Sequence, residues 1–220
     1  MTSSFIPELD GSTELEKEDL PIFQELIGIL RWETELGRTN ILNEVSILTQ
    51  YQAAHRGGHL NKLLHNFVYL KQQPNMSIYL DPSLPNVAYG DFITNPNDFG
   101  EYYREAHEQL PHDIHIPSGS GVSITAFVDA SFAQNKKTRK SHSGFIIFVN
   151  RAPISWFSKR QATVETSTFS SQFMAMKLCV CAIEALRFKL RMFGVPVEGP
   201  AHVYCDNQGV VNNLSKVEST

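Results

Sequence analysis

The chain has 220 residues and a mass of 24.8 kDa, with 42% hydrophobic and 19% charged residues and a formal net charge of −4. That length and apolar content suffice for a buried core; the 3 cysteines are too few for a disulfide framework, and no apolar run reaches the ~18 residues a membrane helix needs. The charge is divided along the chain, with 7 Lys+Arg against 17 Asp+Glu in residues 1–120 and 12 against 6 in residues 121–220. A basic half suits a polyanionic partner, although it would equally suit any soluble basic domain.

Residues 1–19 hold Glu8, Asp10, Glu14, Glu16, Glu18 and Asp19 against Lys17 alone. This is the wrong sign for a signal or transit peptide, so an acidic, mobile lead-in and an intracellular location are expected. From Leu20 the period becomes helical. Leu20, Phe23, Ile27 and Leu30 form one stripe, Ile41, Val45, Leu48 and Tyr51 a second, and Leu60, Leu63, Phe67 and Leu70 a third. Gly37 and Arg56-Gly57-Gly58 punctuate them, Thr39 is a candidate cap for the second helix, and the short loops predict antiparallel neighbours over residues 20–73.

Residues 74–121 contain Pro82, Pro85, Pro96, Pro111 and Pro117 among Asn- and Ser/Gly-rich turns, which predicts an extended connector with one short strand at Ser77 to Leu80. Phe99 and Tyr102-Tyr103 could pack on a neighbour. His112 and His115 lack a second ligand pair at metal-binding spacing and read as loop histidines.

Over residues 122–220 the pattern predicts βββαβα. Ile124 to Ala130 is a strand; a basic turn, Asn135 to Lys140, leads to a second strand at Gly144 to Val149; and Asn150-Arg151-Ala152-Pro153 turns into a third at Ile154 to Ser158. Thr166-Ser167-Thr168 offers caps for a long helix ending near Gly194, with an apolar stripe of Phe169, Phe173, Met176, Val180, Ile183 and Leu190. A fourth strand, Ala201 to Cys205, and a helix from Asn207 to Leu214 follow. Cys179, Cys181 and Cys205 read as core residues, and Trp156 and Phe157 as sheet packing.

A long crossover helix between strands implies that the fourth strand lies parallel to the first. Asp129, near the end of the first strand, and Asp206, just after the fourth, would then meet outside the strand ends, where open α/β sheets place ligands. Two adjacent carboxylates call for a divalent cation or a shared proton, and Mg²⁺ or Mn²⁺ suits oxygen ligands. The residues alone leave a second reading open, with Asp129 a turn residue and Asp206 an N-cap.

Five blocks bear on that choice: Phe127-Val128-Asp129-Ala130; Thr138-Arg139-Lys140-Ser141-His142-Ser143-Gly144-Phe145; Pro153 to Gln161 (PISWFSKRQ); Ser167-Thr168; and Tyr204-Cys205-Asp206-Asn207-Gln208. In this order they closely resemble the ribonuclease H region of copia-type LTR retrotransposon Pol polyproteins. Phe23 to Trp32 (FQELIGILRW), Gly58-His59-Leu60 and Tyr69-Leu70-Lys71 are similar to the segment after the reverse transcriptase palm in those polyproteins.

The resemblance implies a ribonuclease H-like mixed sheet in an α/β fold, ending before the family's last strand and helix, so that the fourth strand becomes a sheet edge. A small antiparallel helical segment precedes it. It implies hydrolysis of RNA in RNA–DNA hybrids by carboxylates holding two Mg²⁺ ions. Asp129 and Asp206 match two of those carboxylates; Gln172, in Gln172-Phe173-Met174-Ala175, falls where the family has a glutamate; the fourth acidic residue has no position; and Ser131 stands where many relatives have a second aspartate. Gln172 shares a helix face with Ala175, Cys179, Ala182 and Leu186, which turns it towards Asp129. The expectation is one weak Mg²⁺ or Mn²⁺ site at Asp129 and Asp206 and little or no turnover, or a non-catalytic nucleic-acid-binding relic. Lys137, Arg139, Lys140, Lys159 and Arg160 are the expected phosphate contacts. The partners implied are a hybrid or other nucleic acid and the remainder of a Pol polyprotein, with no membrane.

Overall fold

The computed structural model describes residues 5–16, 18–86, 112 and 116–214. Phe99, Tyr102, Tyr103 and His115, with most of the expected connector, lie outside the described residues. The chain forms two compact units, one of Met1–Tyr79, Ala130–Gly144 and Trp156–Ser167, the other of Leu80–Asp129, Phe145–Ser155 and Thr168–Thr220.

In the first unit, helices α1 (Asp19–Glu35), α2 (Leu42–Leu48) and α3 (Gly57–Gln72) bury Phe23, Ile27, Leu30, Ile41, Val45, Leu48 and Leu63 in one cluster. These residues recur at three- and four-residue steps, so each helix closes its apolar stripe against the other two. Gly37, at φ 119°, ends α1 in backbone space that favours glycine. Thr39 does not cap α2: it opens a 3-10 turn, Thr39–Ile41, and neither that turn nor α2 has a side-chain cap.

The acidic lead-in is tied to α3. His59, 2% exposed, accepts the Arg56 N–H at Nδ1 (3.0 Å), which leaves Nε2 to donate to the Pro7 carbonyl (2.8 Å). Arg56 also pairs with Glu14 at 3.0 Å. Trp156 donates its indole N–H to the Thr34 carbonyl in the last turn of α1, at 2.8 Å, and so anchors a helix end as well as a strand.

Strands β1 (Ile124–Ser131), β2 (His142–Val149), β3 (Ala152–Arg160) and β4 (His202–Cys205) form one sheet in the order β3-β2-β1-β4. The sheet is mixed, with β1 and β4 parallel in the register Thr125↔His202 to Val128↔Cys205. Helix α4 (Thr168–Met192) is the crossover between β3 and β4, and α5 (Gln208–Leu214) follows. The architecture is α/β and compatible with a ribonuclease H-like fold preceded by helices.

Three expectations about local structure are corrected, the second in part. Ser77 to Leu80 has no regular structure; the chain just beyond is held instead by the Asp81–Arg151 ion pair (3.2 Å) and by Asn150 donating to the Pro82 carbonyl (2.8 Å). The buried face of α4 is Ser171, Gln172, Ala175, Met176, Cys179 and Ile183, whereas Phe169, Phe173 and Val180 are exposed. Met176 and Ile183 of the expected stripe are buried, and the small Ser171, Ala175 and Cys179 beside them permit close packing. Cys179 is buried, but Cys181 is exposed and no core residue.

Candidate functional site: two carboxylates joined by an amide

Asp129 lies inside β1 rather than in a turn, and Asp206 immediately follows β4. The cap of α5 is Asn207, whose Oδ1 accepts the Val210 N–H at 3.1 Å. Neither aspartate therefore has the turn or capping duty that the sequence left open. With β1 and β4 parallel and in register, both carboxylates project at the same end of the strand pair.

Gln172, in the second turn of α4 and 6% exposed, joins them. Its Nε2 donates to Asp129 Oδ1 at 2.7 Å and to Asp206 Oδ1 at 3.3 Å. An ionised carboxylate can only accept, so the amide meets the pair with its two N–H groups. Both aspartates are exposed to solvent while the amide is buried behind them. Cys205 is close by: burial raises its thiol pKa, and the Asp206 and Asp129 carboxylates add to that, against a backbone hydrogen bond from Asn207.

A pair of hard cations needs several anionic oxygen ligands. Among the described residues, no group of three or more His, Cys, Asp or Glu side chains could hold a metal ion. Asp129 and Asp206 supply two carboxylates, and the third group directs N–H donors, not an oxygen, at them. The set does not fit a two-ion centre.

The expected phosphate contacts divide. Lys137, Arg139 and Lys159 are exposed. Lys140 and Arg160 are half-buried and, with Lys62, Lys136, Tyr51 and His142, line a cavity of about 210 Å³ in the first unit. The turn between β1 and β2 is closed by hydrogen bonds: Asn135 Oδ1 accepts the Thr138 N–H (2.8 Å), its carbonyl accepts the Arg139 N–H (2.8 Å), and Arg139 takes a left-handed φ of 58°.

Sequence reasoning missed the structural work of His142, Ser143 and Gln161. His142 Nε2 lies 2.9 Å from Ser158 Oγ and 3.2 Å from Ser46 Oγ; burial, then the Arg160 charge, lower its pKa to about 4. Gln161 donates its side-chain N–H to Ser143 Oγ at 2.8 Å and its backbone N–H to the Ser141 carbonyl at 2.8 Å. The only sequence signal was a run of small and polar residues within a strand pattern, where side chains bond across strands.

The chain is similar, at 30% identity over 98 residues, to the retrovirus-related Pol polyprotein from transposon RE1 of Arabidopsis thaliana, and at 29% over 98 residues to that from transposon RE2. Each match covers 44% of this chain and 7% of the relative's length. An uncharacterized mitochondrial protein of the same plant is 36% identical over 67 residues, 30% of this chain and 28% of that protein. No protein-family model matches, and no solved structure does. Both relatives are named retrovirus-related Pol polyproteins, and the likeness to them is partial. The chain is related to copia-like Pol polyproteins over less than half of its residues and spans a small fraction of their length. No helix among the described residues is long and apolar enough to cross a membrane.

Proposed function

We propose that this chain is a Pol segment whose residues 122–220 form a ribonuclease H-like region derived from a hybrid-hydrolysing site, with little or no turnover of its own. Residues 20–73 then correspond to the segment that follows the reverse transcriptase palm, and 74–121 to a connector. The observation that carries the reading is the Gln172 amide bonded to both Asp129 and Asp206. Two-metal hydrolysis requires one ion to generate the attacking hydroxide and another to stabilise the leaving oxygen. A neutral amide adds no charge to attract those ions, so any Mg²⁺ or Mn²⁺ is held weakly by Asp129 and Asp206 alone.

The substrate class of the ancestral chemistry is the RNA strand of an RNA–DNA hybrid. The test is hybrid cleavage in Mg²⁺ by this chain, by Asp129→Asn and by Gln172→Glu. No cleavage by the unmodified chain above the Asp129→Asn background is expected; robust cleavage abolished by Asp129→Asn overturns the assignment of inactivity.

A second reading, a non-catalytic nucleic-acid-binding module, is favoured by the exposed cations Lys137, Arg139 and Lys159. It requires affinity that falls steeply with salt, because each phosphate contact releases a counterion. Salt-independent binding, or none, removes it.

A further inference from the structure

We infer that the Gln172 amide takes the place of a cation, holding the ends of β1 and β4 against α4 without metal, and that Gln172→Glu makes the same site dependent on a divalent ion. Two carboxylates, one inside β1 and one just past β4, converge on one nitrogen that carries two hydrogens. A cation neutralises such a pair by charge; a primary amide adds no charge and instead offsets part of the repulsion by donating one N–H to each carboxylate. Gln172 is buried while the two carboxylates are exposed, so the lock closes from the α4 side and leaves the outer carboxylate faces in water.

A glutamate at 172 removes both donors and adds a third anion. Three oxygen ligands on three elements then repel in the absence of a cation and form a hard-cation site in its presence. The inference rests on the reading of this region as ribonuclease H-like. Its test uses no nucleic acid, so failure of hybrid binding leaves the thermal result standing.

The test is thermal unfolding of the full chain in EDTA and in excess Mg²⁺ or Mn²⁺. The unmodified chain is expected to melt within about 1 °C under all conditions. Gln172→Glu should melt lower in EDTA and regain several degrees with either ion, since an ion bound only by the folded state stabilises it. Gln172→Glu with Asp129→Asn should lose most of that gain. A Gln172→Glu chain as stable in EDTA as the unmodified one, or an unmodified chain raised by Mg²⁺ as much as Gln172→Glu, overturns the inference. Should Gln172→Glu fail to fold, Mn²⁺ paramagnetic resonance on the unmodified chain decides. Equimolar Mn²⁺ should keep its free-ion signal, and loss of that signal, restored in Asp129→Asn, contradicts the inference.

Discussion

Gln172 donates to Asp129 across a 2.7 Å side-chain hydrogen bond, tying the second turn of α4 to β1. The same nitrogen reaches Asp206 at 3.3 Å, so one buried amide organises both carboxylates. Gln172→Leu keeps approximate volume but removes the N–H donors that both carboxylates share. A loss of about 1–3 kcal/mol, measured by chemical denaturation, is expected.

Asn207 rather than Asp206 caps α5, by accepting the Val210 N–H. Asn207→Ala should therefore cost about 1 kcal/mol, the usual worth of an N-cap. Asp206→Asn, which keeps an oxygen facing Gln172, should cost less in the same denaturation experiment. The reverse order would reassign the cap.

His142 makes stability pH-dependent in acid. Its pKa is lowered from 6.5 to about 4 in the folded chain, first by burial and then by the Arg160 guanidinium. Above pH 6.5 the ring is neutral in both states; between pH 6.5 and about pH 4 only the unfolded chain takes up the proton, so stability falls as pH falls. The full effect is up to about 3 kcal/mol. His142→Gln should flatten this part of the denaturation profile while other acid-sensitive groups continue to act below it. An unchanged profile would show that the ring is not held neutral.

Much of the fold was legible from the chain. The stripes of α1, α2 and α3 carried Phe23, Ile27, Leu30, Val45, Leu48 and Leu63 into the core, because amphipathic periodicity is local and each helix had a partner. Of the α4 stripe, Met176 and Ile183 are buried as expected, as is the Gln172, Ala175 and Cys179 face, while Phe169, Phe173 and Val180 are exposed. Phe169 lies 3.5 Å from the position of a Gly209 Cβ and covers α5 while remaining partly exposed, and the small Ala175 and Cys179 fill the buried face. The meeting of Asp129 and Asp206 followed from topology, since a crossover helix sets the parallel pair. The bonds of His142 to Ser46 and of Gln161 to Ser143 join residues far apart in sequence, and no local pattern announces them.

The exposed cations of the β1–β2 turn should set nucleic-acid affinity. Lys137→Glu with Arg139→Glu is expected to weaken hybrid binding and to lower the slope of log affinity against log salt by roughly 1 per lost phosphate contact. Filter binding across a salt series measures it, with thermal unfolding as the control that the fold is retained. An unchanged slope places the nucleic acid elsewhere.

Nuclear magnetic resonance of the Gln172 side-chain NH₂ in the unmodified chain tests the central claim most directly. If this amide does the work of an ion, its two proton resonances should be distinct and downfield, should collapse towards free-glutamine positions in Asp129→Ala, and should stay sharp with stoichiometric Mn²⁺. Selective broadening of these signals by stoichiometric Mn²⁺, or free-glutamine positions in the unmodified chain, would contradict it.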